Sequence, residues 1–561
     1  MWKKTAACVC GLILLLLLMP MALSESITDL WVSSDGGKGS DAIAWYREEN
    51  KKYSYYLFLP GNVELSALKI GFTGAETITV QGEKVKNGDS AAFLKPGEQY
   101  TVTAGKKYTL HVMQGSPDYP AIYITTESGS LKTIHKNKAN KEAGTMLFVA
   151  ADGKTEYDGA LKYIKMRGNS STTFKKKNYQ VKLTQGTDLA GMGKSKTWVL
   201  TGNSRDKSLL RNQITLDMAE YAGMKYTPGH LYAELYINHE YMGFYLFGEK
   251  PMVDDSRVDI TDLEAKTENL NDLELSEYGM TGSKTAQPGK YKANAIPNDP
   301  EDITGGYLVE YESYALRYKE NASVYHTTRK STLAIKSPEY CSEAQMEYIS
   351  RYMQSFEDAI YASDGFDPAT GKHYTQLVDL DSLVNKYLIE EVSKNYDGNT
   401  SSMFFYKDSD AVDPLMYAGP CWDYDSAYAS YAREDNAKRV LTGKNLWIGD
   451  AKGGKYWWPA LYKQQDFYAA MTARYKDVFR KAVDILLGAA EDETGKLRSI
   501  DAYVEDIRQS AEMNFVRWPM LKHTSAVAKT GYTFDMNIDY LKNFITERKA
   551  FLDGLWLNEQ P

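Results

Sequence analysis

The stretch GPCWDYDSA, residues 419–427, decides how the rest of the chain is read. It puts two carboxylates, Asp423 and Asp425, two residues apart just after a short apolar run at 415–418. Residues i and i+2 of an extended segment face the same side, so both carboxylates can point at one metal ion. Upstream, SKNYDGNTSSMFFYKD, residues 393–408, supplies a third carboxylate, Asp397, in a polar loop. Between these aspartates the runs 403–406 and 415–418 read as a β-hairpin. Before them, Leu383, Val384, Tyr387, Leu388 and Val392 line one side of a helix over 381–395, which Asp379 or Asp381 can cap. That helix delivers Asn395 and Asp397 to its C-terminal end.

A second chemical stretch is MRGNSSTTF, residues 166–174, between strand-like 161–165 and strand-like 179–183. Backbone amides and hydroxyls in such a turn can approach phosphate oxygens. In the following strand Tyr179, Val181 and Leu183 share one face, and Lys182 projects the other way with Gln180. A lysine there can reach nucleotide phosphates; a solvated strand lysine beside Lys175, Lys176 and Lys177 is the plainer reading. A further helix is predicted over 206–222, with Leu210, Ile214 and Met218 at spacing four and Ser204 as a cap.

Taken together, these blocks resemble the spore-coat protein H (CotH-like) atypical kinase family. The resemblance is carried by MRGNSSTTFKKKNYQVKL, WVLTGNSRDKSLLRN, YINHEYMGFYLFGEKP, YLVEYE, DLDSLVNKYLIEEVSKNYD and GPCWDYDSAY, in that order, over about residues 119–518. It implies a kinase-like two-lobe fold, a β-rich small lobe joined by a hinge to a helical large lobe. It also implies ATP, Mg²⁺ or Mn²⁺, and Ser or Thr of a secreted or surface protein as acceptor. By resemblance, Arg167, Gly168, Asn169 and Ser170 lie over the phosphates, and Lys182 contacts them. Arg211 belongs to a block near the cleft, with Asp206 and Glu220 both open as acidic partners of Lys182. Glu249 sits near the lobe connection and serves the nucleotide or the hinge. Asp397 is the catalytic base, and Asp423 and Asp425 bind the metal. One departure concerns a second metal. The position five residues after Asp397, an asparagine in ordinary kinases, is Ser402 here, and Asn399 stands at another offset.

Three other readings of these residues exist. Asp423 and Asp425 can cap backbone amides in a turn. Paired carboxylates with Trp422, Trp457 and Trp458 as a sugar platform would suit a glycoside hydrolase. A surface adhesin or coat-assembly protein could keep the fold without turnover. The seven histidines show no metal spacing, and Ser170 and Ser171 have no histidine nearby in sequence.

Lys3 and Lys4, an apolar run from Val9 to Met19, and Ala22 and Ser24 have the order of a secretory signal, residues 1–24. The mature chain is therefore expected to be secreted or at the cell surface, with no membrane span. The formal charge of −8 becomes about −10 once Lys3 and Lys4 are subtracted, which argues against nucleic acid as a partner. Cys341 and Cys421 are expected as two buried thiols. Short alternating runs punctuated by Pro60-Gly61, Asn87-Gly88 and Pro96-Gly97 predict a small all-β sandwich, cadherin- or Ig-like, over 25–117. The fold class is α+β, with the kinase-like region over 118–545. That region divides into a small lobe to about 250, a polar surface insertion at 260–304 and a large lobe from 305, followed by a tail at 546–561.

Overall fold

The computed structural model describes residues 26–34, 42–283, 287–313, 321–432, 434, 437–450, 457–522 and 531–558. The signal segment lies outside the described residues. Two units make up the chain, one comprising residues 1–115 with 236–241, the other 116–235 with 242–561.

Period-two alternation builds the first unit. Its strands are β1 (Asp29–Ser33), β2 (Ala42–Ile43), β3 (Trp45–Glu49), β4 (Lys52–Leu59), β5 (Lys69–Thr73), β6 (Thr77–Val80), β7 (Glu83–Lys86), β8 (Gln99–Ala104) and β9 (Lys106–Gln114). Six of them form a sheet in the order β3-β4-β9-β8-β6-β7. The other three pair around β1, which takes β2 and β5 antiparallel. Leu57, Leu110 and Val102 of the larger sheet, and Ile70 and Phe72 of the smaller, are buried. Residues 236–241, remote in sequence, complete this unit. The Ile43 amide donates to the carbonyl of His239 at 3.1 Å.

In the second unit seven strands close on themselves: β10 (Ala121–Thr126), β11 (Glu142–Val149), β12 (Thr155–Arg167), β13 (Asn178–Asp188), β14 (Lys194–Thr201), β15 (His230–Ile237) and β16 (Glu240–Gly248). The order is β14-β13-β12-β11-β10-β15-β16, and β16 returns to β14. Closure removes the exposed edges that an open sheet would leave. Ile122, Phe148, Ile164, Val181, Trp198, Leu200 and Phe247 are buried, so the barrel is a packed core. A second sheet of seven strands is entirely antiparallel: β17 (Met280–Gly282), β18 (Lys290–Asn294), β19 (Tyr307–Tyr311), β20 (Ser323–His326), β21 (Thr332–Ser337), β22 (Met403–Lys407) and β23 (Met416–Ala418). Five long helices pack in the same unit: α1 (Arg211–Tyr221), α2 (Glu343–Tyr361), α3 (Leu380–Ser393), α4 (Ile500–Arg517) and α5 (Phe534–Trp556). Ile214, Phe356, Tyr387, Leu388, Ile507 and Leu541 are part of one core that joins these helices to the second sheet. Both architectures in one compact unit make the fold α+β.

Three sequence expectations are corrected. The segment 260–304 is not only a surface insertion: β17 and β18 extend the second sheet, and Leu275, Ala293 and Asn294 are buried. Its strands were hidden because KYKAN has little apolar alternation and pairs with β20, some thirty residues on. The tail at 546–561 is mostly helix, since α5 runs unbroken to Trp556. Helix α1 begins at Arg211 rather than at 206, because Asp206 folds back and its carboxylate accepts the Arg211 amide at 2.8 Å. Elsewhere the match is close. Asp379 caps α3 through the Ser382 amide at 2.7 Å, β22 and β23 form the expected hairpin, and both cysteines are free and buried.

Helix α3 carries two buried charges on successive residues. Glu390 pairs with Lys386 at 2.7 Å. Glu391 pairs with Arg548 of α5 and also accepts the amides of Trp447, Ile448 and Gly449 at 2.5, 2.9 and 3.0 Å. Arg548 further donates to the carbonyls of Glu391, Gly443 and Asn445. A buried carboxylate with this many donors meets the hydrogen-bonding condition that burial imposes.

Candidate active site

Helix α3 ends at Lys394, which takes a left-handed backbone and returns its amide to the Glu390 carbonyl. The chain then turns sharply at Asp397, whose carbonyl accepts the amides of Thr400 and Ser401 at 2.8 and 2.9 Å. Gly398 is required in that turn, because a Cβ there would lie 1.9 Å from Glu390 Oε2. Asn395 connects this loop to the next one. Its Oδ1 accepts the Asp397 amide at 3.3 Å, and its Nδ2 donates to the Asp423 carbonyl at 3.3 Å. Trp447 holds Asn395 from behind, its indole donating to the Asn395 carbonyl at 2.7 Å.

The segment carrying Asp423 and Asp425 is not extended, contrary to the premise drawn from its spacing. Asp423 has φ 63°, a left-handed conformation that short polar side chains tolerate better than most. Helix α1 braces the loop on both sides of Asp425. Asn212 Oδ1 accepts the Tyr424 amide at 2.7 Å, and Arg211 Nε donates to the Ala427 carbonyl at 2.9 Å. The Ser426 hydroxyl donates to Asp425 at 2.9 Å.

These loops bring the three carboxylates into one field. Burial first, then the charges of Asp425 and Asp397, push Asp423 up to about 8, against the pull of Arg167 and Arg205. Burial and then Asp425 push Asp397 up to about 6, opposed by Arg205. Burial raises Asp425 too, again against Arg205. Such mutual repulsion in a partly dry site is relieved by a cation. Among the described residues no three His, Cys, Asp or Glu side chains form a group that could hold a metal ion by themselves. One or two buried carboxylates are what an ion such as Mg²⁺ takes from a protein when phosphate oxygens and water complete its shell.

Cations face the acids. Arg167, at the end of β12, lies over the Trp422 ring at 5.0 Å, with Asp423 and Glu310 supporting its charge against burial. Burial, with Arg167, Lys336 and Lys165 near, draws Lys250 down to about 8. Beyond Arg167 the loop turns at Gly168, φ 97°, where a Cβ would meet Ser171 Oγ at 2.0 Å. Lys138 donates to Asn169 Oδ1 at 2.8 Å, and Ser170 begins a short 3-10 turn.

A family model described as CotH kinase protein matches residues 164–552. This chain belongs to the CotH family. No curated protein matches it. The CotH match opens in β12 three residues before Arg167, contains all three aspartates and ends inside α5. It leaves the first unit's strands β1–β9 outside.

Within the CotH region the structure sorts the residues singled out from sequence. It brings together Asp397, Asp423, Asp425, Arg167 and, through Arg205, Ser170. It does not bring Lys182 to them. Lys182 stands opposite Tyr163 on the barrel, with Lys162, Lys196 and Lys141 as its charged neighbours. Arg167 lies four residues farther along the same strand, about 13 Å at the usual rise. Neither proposed partner meets Lys182, since Asp206 pairs with Arg211 at 2.5 Å and Glu220 with Lys496 at 3.6 Å. Arg211 is thereby structural. So is Glu249, which pairs with Arg257 and accepts the Gly229 amide at 2.8 Å. The sugar-platform reading also fails: Trp457 and Trp458 are core residues, and Trp422 packs under Arg167. The Asn399 side chain lies outside what the structure describes.

Arg205 and Asn395 were not read as site residues, because no local spacing marks a side chain that meets its partners from a distant loop. The reassignment has a measurable consequence. Arg167→Ala should weaken Mg·ATP binding about 10- to 100-fold, the worth of a charge-assisted contact. Lys182→Ala should change it less than about twofold, as for an unpaired surface charge. Calorimetric titration of both variants checks this, and the reverse order would return Lys182 to the site.

Proposed function

We propose that this CotH-family chain is an exported protein kinase that transfers the ATP γ-phosphate to Ser or Thr of a secreted or surface protein. The observation that carries this reading is the opposition of charges. Three mutually repelling carboxylates, Asp397, Asp423 and Asp425, face Arg167 and Arg205 at the mouth of a glycine turn. Phosphoryl transfer needs this pairing, because catalysis consists largely of holding phosphates and neutralising charge that spreads over oxygen.

In this reading the barrel acts as the small lobe, and the second sheet with α1–α5 as the large one. Arg167, Lys250 and the 168–170 turn hold the phosphate tail. Asp423 and Asp425 hold the divalent ion, Mg²⁺ or Mn²⁺, which when bound neutralises phosphate charge. Asp397 orients the acceptor hydroxyl and takes its proton, and an upward-shifted carboxylate suits that task near neutral pH. The N-terminal sequence supports export, and the acidic balance supports a protein rather than nucleic acid as acceptor.

The test is incubation of the mature protein with labelled ATP and Mg²⁺ or Mn²⁺. Metal-dependent incorporation of phosphate into the protein or a co-secreted acceptor is expected. No incorporation with any metal, together with normal folding, would favour a non-catalytic adhesin or coat-assembly role.

A further inference from the structure

Arg205 belongs to no element of regular structure, yet four residues on two separate loops hold it. Its Nη2 donates to Ser170 Oγ of the glycine turn at 3.2 Å, and its Nη1 to Ser426 Oγ beside Asp425 at 3.4 Å. Its guanidinium lies 5.1 Å from the Phe174 ring centre on one loop and 4.2 Å from that of Tyr431 on another. Two aromatic contacts fix the plane of a guanidinium in a way they cannot fix a lysine.

Its relation to the acids is unusual. The charge of Arg205 is felt by Asp397, Asp423 and Asp425 alike. Nevertheless, among the described residues, no ion pair within 4.0 Å joins it to any of them. Arg205 is partly exposed, whereas the fully buried Arg211 and Arg548 both close directly onto a carboxylate. Two long contacts to serine hydroxyls also leave most of the five guanidinium donors uncommitted among the described residues. An arginine held by aromatics, aimed between a phosphate-binding turn and three acids, and stopping short of each, is arranged around something that sits between them.

We infer that Arg205 is a catalytic residue that binds the phosphoryl group in transit, donating to its non-bridging oxygens as that group passes from nucleotide to acceptor. This deepens the kinase reading and rests on it. In the step, the bond from the γ-phosphorus to the β–γ bridging oxygen breaks, and a bond from the acceptor hydroxyl oxygen forms. The hydroxyl proton goes to Asp397, and ADP leaves with the bridging electron pair. Arg205 gains and loses no atom; it neutralises charge on the three equatorial oxygens, as arginines supplied in cis or in trans do in other phosphoryl-transfer enzymes. Its two serine contacts are weak enough to be exchanged for phosphoryl oxygens. Ser426 would then remain with Asp425, and Ser170 with the glycine turn.

The experiment uses the full mature chain as wild type, Arg205→Lys and Arg205→Ala. Calorimetry measures Mg·ADP binding with and without aluminium fluoride, which with ADP mimics the planar group in transit. Phosphate incorporation is measured at saturating ATP, and thermal melting checks the fold. Wild type should bind Mg·ADP more tightly when fluoride is present. Both variants should keep Mg·ADP affinity within about threefold, lose the fluoride-dependent gain and lose about 10³-fold in rate. Lysine should not rescue, since it lacks the planar fork. Three results would overturn the assignment: a wild-type rate in Arg205→Lys, Mg·ADP affinity falling in step with the rate, or no fluoride gain in a wild type that binds Mg·ADP. If Arg205→Ala melts early, Arg205→Lys alone decides. A wild type that binds no Mg-nucleotide overturns the kinase reading itself, and this inference with it.

Discussion

Asp423→Ala removes the heat of Mg·ATP binding from a calorimetric titration while leaving a folded protein; this is the largest effect expected of any single substitution. A Mg²⁺ ion beside phosphates needs carboxylate oxygens that do not leave, and burial with two neighbouring carboxylates drives Asp423 to accept a cation. Its elevated affinity for a proton gives a second readout. An unfolded aspartate ionises near 3.8, whereas the folded one keeps its proton until about 8. Between those values the native state binds more protons than the unfolded state. Metal-free stability should therefore fall as pH rises across that window, the opposite of a salt-bridged aspartate. Asp423→Asn, which cannot ionise, should flatten the slope. Mg²⁺ with nucleotide should reverse it, because binding the ion expels the proton and so tightens with pH. Unchanged Mg·ATP binding in Asp423→Ala would remove the metal assignment.

Asp397→Asn should do the reverse, sparing binding and losing chemistry. The amide keeps the shape of the turn, since that turn is made by the Asp397 backbone carbonyl and by Asn395. It cannot take a proton. Phosphate incorporation should drop by about 10²-fold or more, the usual scale of general-base help. Mg·ATP affinity should change little, because Arg167, Lys250 and Asp423 are untouched. Both quantities should be measured on one preparation, and a wild-type rate would exclude Asp397 from the mechanism.

How much of this was legible in the sequence depends on the range of each interaction. Alternation in 179–183 and the capped apolar stripe read over 381–395 are local signals, and β13 and α3 stand there, α3 spanning Leu380–Ser393. The aspartates were found for the same reason, as short motifs joined to a hairpin and a helix. Lys182 was misassigned because alternation says which face a residue takes and not what that face meets. Lysine neighbours from β12, from β14 and from just before β11 decide its role. Arg205 was passed over because Ser426 lies 221 residues away. The strands β17 and β18 were invisible because they borrow their order from partners rather than from their own composition. Even the two-residue spacing of Asp423 and Asp425 was read through a wrong geometry. Their convergence comes from a left-handed turn and the Asn212 brace, not from a strand.

The clasp of Arg548 on Glu391 has a consequence for how the molecule comes into being. Glu391 orders the Trp447–Gly449 backbone, and Trp447 in turn steadies Asn395, which spans the two aspartate loops. The guanidinium that completes this arrangement arrives 157 residues after the carboxylate. A chain growing from its N-terminus thus carries all three aspartates well before it carries the residue that locks them. Domains tend to fold as they emerge, but here a buried acid without its partner is strongly disfavoured. Chains cut short of α5 should therefore fail to order the Trp447–Gly449 backbone behind Asn395, so completion of the aspartate loops is expected to wait for a chain synthesised past Arg548.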